Sequence, residues 1–274
     1  MISNWLLILI TVVAVGYLGA YIALILFQKK IIYQPTYEIA LTPKAANLDY
    51  QEIHLHPNDT DTVMGWYVPC INPCFGTLVF FHGNAGNMGD RIDSTALFHE
   101  LGFNVLLIDY RGFGQSTGHP SEANSYEDGE CALRYLIDTH GLKYEDMVLL
   151  GRSLGGGIAT ELAIRHPIRA LMLESTYTSI PEVAQDVYPL FPIKYFVTTK
   201  YNNLAKLPKV QCPILIVHSQ EDQYIPYHHG LKLFDCATPN PNKHMITIHG
   251  AHADGFLTSK EVYVEGLKRF FQSL

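Results

Sequence analysis

Met147-Val148-Leu149-Leu150-Gly151-Arg152-Ser153-Leu154-Gly155-Gly156-Gly157-Ile158-Ala159 is the stretch on which the fold turns. Met147 to Leu150 read as a short buried strand, and the segment from Gly155 onward opens a helix. Between them, Gly151-Arg152-Ser153-Leu154-Gly155 has the form G-x-S-x-G. Alone, that pattern is common by chance. At a strand-to-helix turn it carries chemistry, because so tight a turn forces the serine backbone into a strained conformation. Glycine two residues to either side removes side chains that would collide. The strain lifts the Ser153 hydroxyl clear of the sheet, at the positive end of the following helix. A phosphate-binding glycine turn would need G-x-G-x-x-G or Walker spacing, which this segment lacks.

A serine nucleophile needs a base, and the base needs an orienting acid. Beside such an elbow they follow in the order serine, acid, histidine, each on a loop after a later strand. The apolar run Pro213 to Val217 leads into His218-Ser219-Gln220-Glu221-Asp222, and Met245 to Ile248 leads into His249-Gly250-Ala251-His252-Ala253-Asp254. Asp222 is the favoured acid, ahead of Glu221 and of Glu174 at the end of the preceding strand. His252 is favoured over His249, which is expected to pack or hydrogen-bond locally. Acyl transfer also needs donors for an oxyanion. The run Leu78 to Phe81 enters His82-Gly83-Asn84-Ala85-Gly86-Asn87, whose small residues let backbone N–H groups face a pocket. The expected donors are the N–H groups of Asn84 and Leu154, and His82 reads as a structural loop residue.

The remaining pattern fits this reading. Glu52–His56 and Val63–Val68 alternate about a turn and read as an antiparallel hairpin. Continuous apolar runs at 77–81, 104–108, 147–150, 170–173, 213–217 and 245–248 read as buried parallel strands. Helices are expected over about 90–101 and 125–139, the second stopped by Gly141, and after a capping box Thr258-x-x-Glu261. Strand–helix alternation predicts an α/β class with a mostly parallel, doubly wound sheet.

Ahead of this domain, Trp5 to Phe27 holds 23 residues without a charge. As a helix it would be ~35 Å long, enough to cross a hydrocarbon core of ~30 Å with some tilt. A cleaved signal peptide would want a basic start, a shorter apolar run and a small-residue cleavage site. The expected organisation is therefore a transmembrane anchor at 1–30, a linker at 31–48 and a catalytic domain at 49–274, with an insertion at 176–210 serving as a lid. Lys29 and Lys30 favour a cytoplasmic domain on a single-pass protein.

The motifs HGNAGN, DYRGFGQSTG, GRSLGGG, EDQYIP and the final histidine loop together resemble the α/β-hydrolase superfamily. The likeness is nearest to membrane-anchored members with a small lid and covers the chain from about Tyr50 onward. It implies Ser153, Asp222 and His252 as a catalytic triad, in agreement with the reading above. Two positions depart from the pattern, Ser219 in place of glycine and Ala253 in place of asparagine, and neither is a catalytic position. The resemblance also implies lipid or protein-palmitoyl ester substrates. An apolar lid, with Tyr188, Leu190, Phe191, Tyr195 and Phe196 as candidate lining residues, suits acyl esters or thioesters presented at a bilayer. An aminopeptidase and a catalytically silent membrane scaffold are the alternatives; the first needs an acidic subsite that no segment announces.

Composition closes other routes. With 48% hydrophobic and 16% charged residues the chain can bury a large core. The net charge of −7, without a Lys/Arg cluster, argues against a nucleic-acid partner. No cofactor motif is present. The five cysteines are an odd count and read as reduced structural residues, Cys70 and Cys74 being the one pair close enough to bridge. His54 and His56 read as a solvated strand face rather than a metal pair.

Overall fold

The computed structural model describes residues 4–71, 74–237 and 240–274. Helix α1 (Asn4–Ile32) leads through a two-residue strand β1 (Gln34–Pro35) into the domain. An eight-stranded sheet follows, built from β2 (Gln51–Leu55), β3 (Val63–Val68), β4 (Gly76–Phe81), β6 (Phe103–Ile108), β7 (Met147–Arg152), β8 (Ala170–Glu174), β9 (Ile214–Ser219) and β10 (Lys243–Ile248). Its order is β10-β9-β8-β7-β4-β6-β3-β2, parallel from β10 through β6, with β3 antiparallel to both β6 and β2. The hairpin and all six buried runs expected from the sequence are strands of this sheet. A short strand β5 (Ala85–Gly86) lies outside it, pairing with β1.

Each central strand alternates its side chains between two cores. Val79 and Phe81 of β4 enter one core with α3 (Glu122–His140) and α4 (Gly155–Arg165). Leu78 and Phe80 enter the other with α2 (Ile92–Glu100) and α9 (Lys260–Gln272). Helices therefore cover both faces, which is why these strands are apolar on both sides. Helix α3 stops at Gly141, whose φ of +65° ends it in the left-handed conformation.

Segment 176–210, expected to serve as a lid, carries α5 (Ile180–Val187), a 3₁₀ turn at Ile193–Tyr195 and α6 (Asn203–Lys206). Beyond it come α7 (His228–Cys236) and α8 (Gly255–Thr258).

Three expectations are corrected. The capping box at Thr258-x-x-Glu261 does not form: the helix is split, and Ser259 stands at the N-terminus of α9. The Ser259 hydroxyl is drawn to His249 instead, accepting from its N–H at 2.8 Å and donating to its carbonyl at 3.1 Å. Cys70 and Cys74 are joined in a disulfide, while Cys131, Cys212 and Cys236 are free. The candidate lining residues of segment 176–210 are turned to solvent or to α1. Leu190 (81% exposed) and Tyr195 face outward, Phe191 stacks on Tyr17 of α1 at 4.6 Å, and Phe196 meets Tyr21 edge-on. Tyr188 lines an apolar groove between this segment and α1.

Candidate active site

Ser153 follows β7 with φ of +52°, a region that non-glycine residues seldom occupy. Two bonds hold it there. Its N–H donates to the carbonyl of Glu174 on β8 at 2.9 Å, and its carbonyl accepts from the Thr176 hydroxyl at 2.7 Å. Glycine at 155 is compulsory, because a Cβ there would overlap the Phe81 carbonyl. Helix α4 can thus start directly against the end of β4, and Ser153 is pinned at the carboxyl edge of the sheet.

Two further loops from that edge converge on it. His252, after β10, places Nε2 3.0 Å from Ser153 Oγ and Nδ1 2.7 Å from Asp222 Oδ2, after β9. An ionised Asp222 can only accept, so Nδ1 carries the proton and Nε2 offers its lone pair to the hydroxyl. Asp222 Oδ1 accepts from the N–H groups of Ile225 at 2.8 Å and Tyr224 at 2.9 Å. Burial works to raise the pKa of this carboxyl. The His252 bond and charge and the two backbone donors outweigh it and hold the group below its ordinary range. An imidazole so oriented can take a hydroxyl proton as the oxygen attacks, and pass it on to a leaving group.

The unfavoured candidates have other work. Glu221 is exposed; its carboxylate meets His249 Nδ1 at 3.1 Å and accepts from Gly250 N–H at 3.0 Å, bracing the His252 loop. Ser219 donates to the Gly250 carbonyl at 2.5 Å and ties the acid loop to the histidine loop. Glu174 lies under the elbow, 2.8 Å from Arg152 Nε and accepting from Tyr263 at 2.6 Å. The Arg152 guanidinium also lies over Phe256, 4.5 Å from the ring centroid, and donates to Ser94 at 2.8 Å. Nothing in the residue between glycine and serine announces this platform in the sequence.

The loop after β4 lies against the serine, for a Cβ at Gly83 would come within 3.3 Å of Ser153 Cβ. His82 is fully buried, with Nδ1 donating to the Gly83 carbonyl at 2.8 Å and Nε2 3.1 Å from Asp109. It stacks on Tyr110, whose hydroxyl donates to the His82 carbonyl at 2.8 Å. Asn84 is fixed at both ends: its side-chain amide donates to the carbonyl of Ile32, at the end of α1, at 2.9 Å, and its carbonyl accepts from Gln34 N–H at 2.8 Å. Leu154 sits just before α4, where a helix has unpaired N–H donors.

Among the described residues one cluster has metal-ligand composition: Asp186, His228 and His229. Its bonding argues against that use. His229 Nδ1 accepts from Thr178 N–H at 3.2 Å, so Nε2 carries the proton and donates to Asp186 at 2.9 Å. The atom that would face a cation has no lone pair to give. His54 and His56 are exposed on β2 and its end.

Comparison with known proteins agrees with this architecture. A family profile described as serine aminopeptidase, S33, matches residues 72–195. The chain is 34% identical to protein bem46 of Schizosaccharomyces pombe, over 82% of this chain and 78% of that one. It is 29% identical to the α/β-hydrolase domain-containing protein WAV2 of Arabidopsis thaliana, over 88% and 86%. Among solved structures, an esterase of Pyrococcus furiosus superposes with a TM-score of 0.72 at 16% identity, covering 88% of this chain and 97% of its own. An α/β-hydrolase of Vibrio vulnificus gives 0.71 at 21% identity, covering 94% of each. The strand order, the turn after β7 and these relatives together place the chain in the α/β-hydrolase superfamily.

Proposed function

We propose that this hydrolase is a single-pass membrane enzyme that cleaves carboxylic ester or thioester bonds of acyl substrates. Ser153 is the nucleophile, His252 the base and Asp222 the acid that orients it. The observation that carries the reading is the continuous pair of bonds, 3.0 Å and 2.7 Å, running from the Ser153 hydroxyl through His252 to Asp222.

Ser153 Oγ attacks the acyl carbonyl carbon while its proton passes to His252 Nε2. The carbonyl electrons move onto oxygen, which the N–H groups of Leu154 and Asn84 receive. Collapse expels the alcohol or thiol, which takes the proton from His252 and leaves an acyl group on Ser153. Water then attacks that ester, again giving its proton to His252, and the acid departs as the proton returns to Ser153. Asp222 stays ionised and stabilises the imidazolium in both halves.

The acyl preference is supported by the setting: α1 carries no charge before Lys29, with a mean hydropathy of 2.4 over its most apolar stretch and none of it buried. The test is labelling by a fluorophosphonate probe, followed by hydrolysis of p-nitrophenyl esters of increasing chain length. Labelling lost in Ser153→Ala supports the chemistry, and indifference to chain length counts against a lipid substrate. An aminopeptidase, suggested by the matched profile's description, would need a carboxylate for the substrate amine. Glu221, engaged with His249 and Gly250, is a poor candidate for it.

A further inference from the structure

We infer that the tip of the lid, Val187–Phe196, lies inside the bilayer alongside α1, with lipid hydrocarbon as its partner. The inference rests on the reading that α1 crosses a membrane, and is independent of the chemistry at Ser153.

The tip is apolar and open. Across its ten residues Lys194 is the single charge, and Val187, Leu190, Tyr195 and Phe196 are 52%, 81%, 74% and 49% exposed. A contiguous apolar surface of this kind in a folded domain marks a contact site. The Lys194 ammonium lies over the Tyr195 ring, and its long stem can carry the charge out to headgroups.

The position of the tip along α1 identifies what it contacts. Tyr17 donates to the Leu190 carbonyl at 2.8 Å and stacks on Phe191. Tyr21 meets Phe191 and, edge-on, Phe196. Further along, Gln28 Oε1 accepts from Thr198 N–H at 2.7 Å. The apolar run of α1 begins at Trp5, a residue that favours the interface, after the polar Asn4. From Trp5 to Tyr17 the helix rises only ~18 Å, against a hydrocarbon core of ~30 Å. Tyr17 is therefore ~12 Å inside the near boundary, and Tyr21 ~6 Å inside it, when the helix stands upright. The lid tip in contact with these two residues is carried to that depth, at and somewhat beyond the ~5–10 Å to which amphipathic surface elements are buried. The groove between lid and α1, lined by Leu24, Gln28, Ile32, Ile180 and Tyr188, leads from this level to Ile32, whose carbonyl holds Asn84.

The test uses the full chain in nanodiscs of phosphatidylcholine, with and without bromine on the acyl chains as a fluorescence quencher. Trp5 reports on α1, and Trp66 is buried in the core. Leu190→Trp is made in a Trp5→Phe background, and Tyr195→Trp in the same background serves if the first variant misfolds. The expected result is that brominated lipid quenches Trp5 in the wild type and the new tryptophan to a similar fraction, with Trp5→Phe alone little affected. Quenching of Trp5 without the lid tryptophan overturns the inference and leaves the span intact. Quenching of neither overturns the membrane reading and the inference with it.

Discussion

Asn84 donates its side-chain amide to the carbonyl of Ile32, so one 2.9 Å bond joins the last turn of α1 to the loop that abuts Ser153. The two-residue ladder of Gln34 with Ala85 and Pro35 with Gly86 reinforces it. The helix expected to act only as a tether is thus built into the wall of the site. Asn84→Ala keeps the backbone N–H and removes the tie. Its expected effect is a fall in kcat on the order of 10- to 100-fold with KM little changed, since small misplacements of a positioning group cost that much. A change confined to KM refutes this role.

Removing the proposed nucleophile is expected to cost far more. Ser153→Ala should lower turnover of a p-nitrophenyl ester by a factor on the order of 10⁶, and Asp222→Asn by about 10⁴, with circular dichroism unchanged in both. Ser153→Ala retaining a tenth of the activity would exclude the acyl-enzyme.

The platform under the elbow governs stability. Arg152 is buried beside Glu174, so Glu174→Ala strands a positive charge and is expected to destabilise the domain by about 3–5 kcal/mol. Tyr263→Phe removes one donor to the same carboxylate and should cost about 1–3 kcal/mol. Urea unfolding measures both, and equal losses would contradict this ranking.

Acid should weaken the contact of α7 with Thr178, just ahead of α5. Burial first, with the neighbouring His228 adding to it, pulls the pKa of His229 down to about 4, although Asp186 pulls the other way. The ordinary value is near 6.5, so the unfolded chain takes the proton first as pH falls. Stability tied to the neutral ring is complete above about 6.5 and is lost progressively down to about 4, a change on the order of 3 kcal/mol. His229→Asn retains an acceptor for Thr178 and cannot titrate. Its Tm relative to wild type should rise across that window, and parallel Tm curves would refute the assignment.

The Cys70–Cys74 bridge bears on sidedness. Such bonds persist in oxidising compartments, whereas Lys29 and Lys30 favour the cytoplasm. Alkylation of denatured protein taken directly from membranes should tag three cysteines before reduction and five after it. Five before reduction means a reduced pair and a cytoplasmic domain.

The sequence declares the elbow because all its constraints are local: an apolar strand, glycines around Ser153, a helix at once. Asp222 and His252 are legible because each lies on the loop that follows a strand, so the strand order alone brings them near Ser153. Relationships without a local signature are hidden. Tyr17, Tyr21 and Gln28 lie on one stripe of α1, which signals a partner, but nothing names Leu190 or Thr198 about 170 residues away. Arg152 occupies a position where any residue fits the motif, and its platform exists only once β7, β8 and α9 are assembled. The capping box failed for the same reason, since a tertiary bond to His249 claimed the serine beside it.

Gly155 sits where the smallest substituent would strike the Phe81 carbonyl. For anyone diversifying this enzyme toward new substrates, the turn after β7 is closed to randomisation. A library that holds Gly155 fixed avoids the members in which α4 could no longer start against the end of β4.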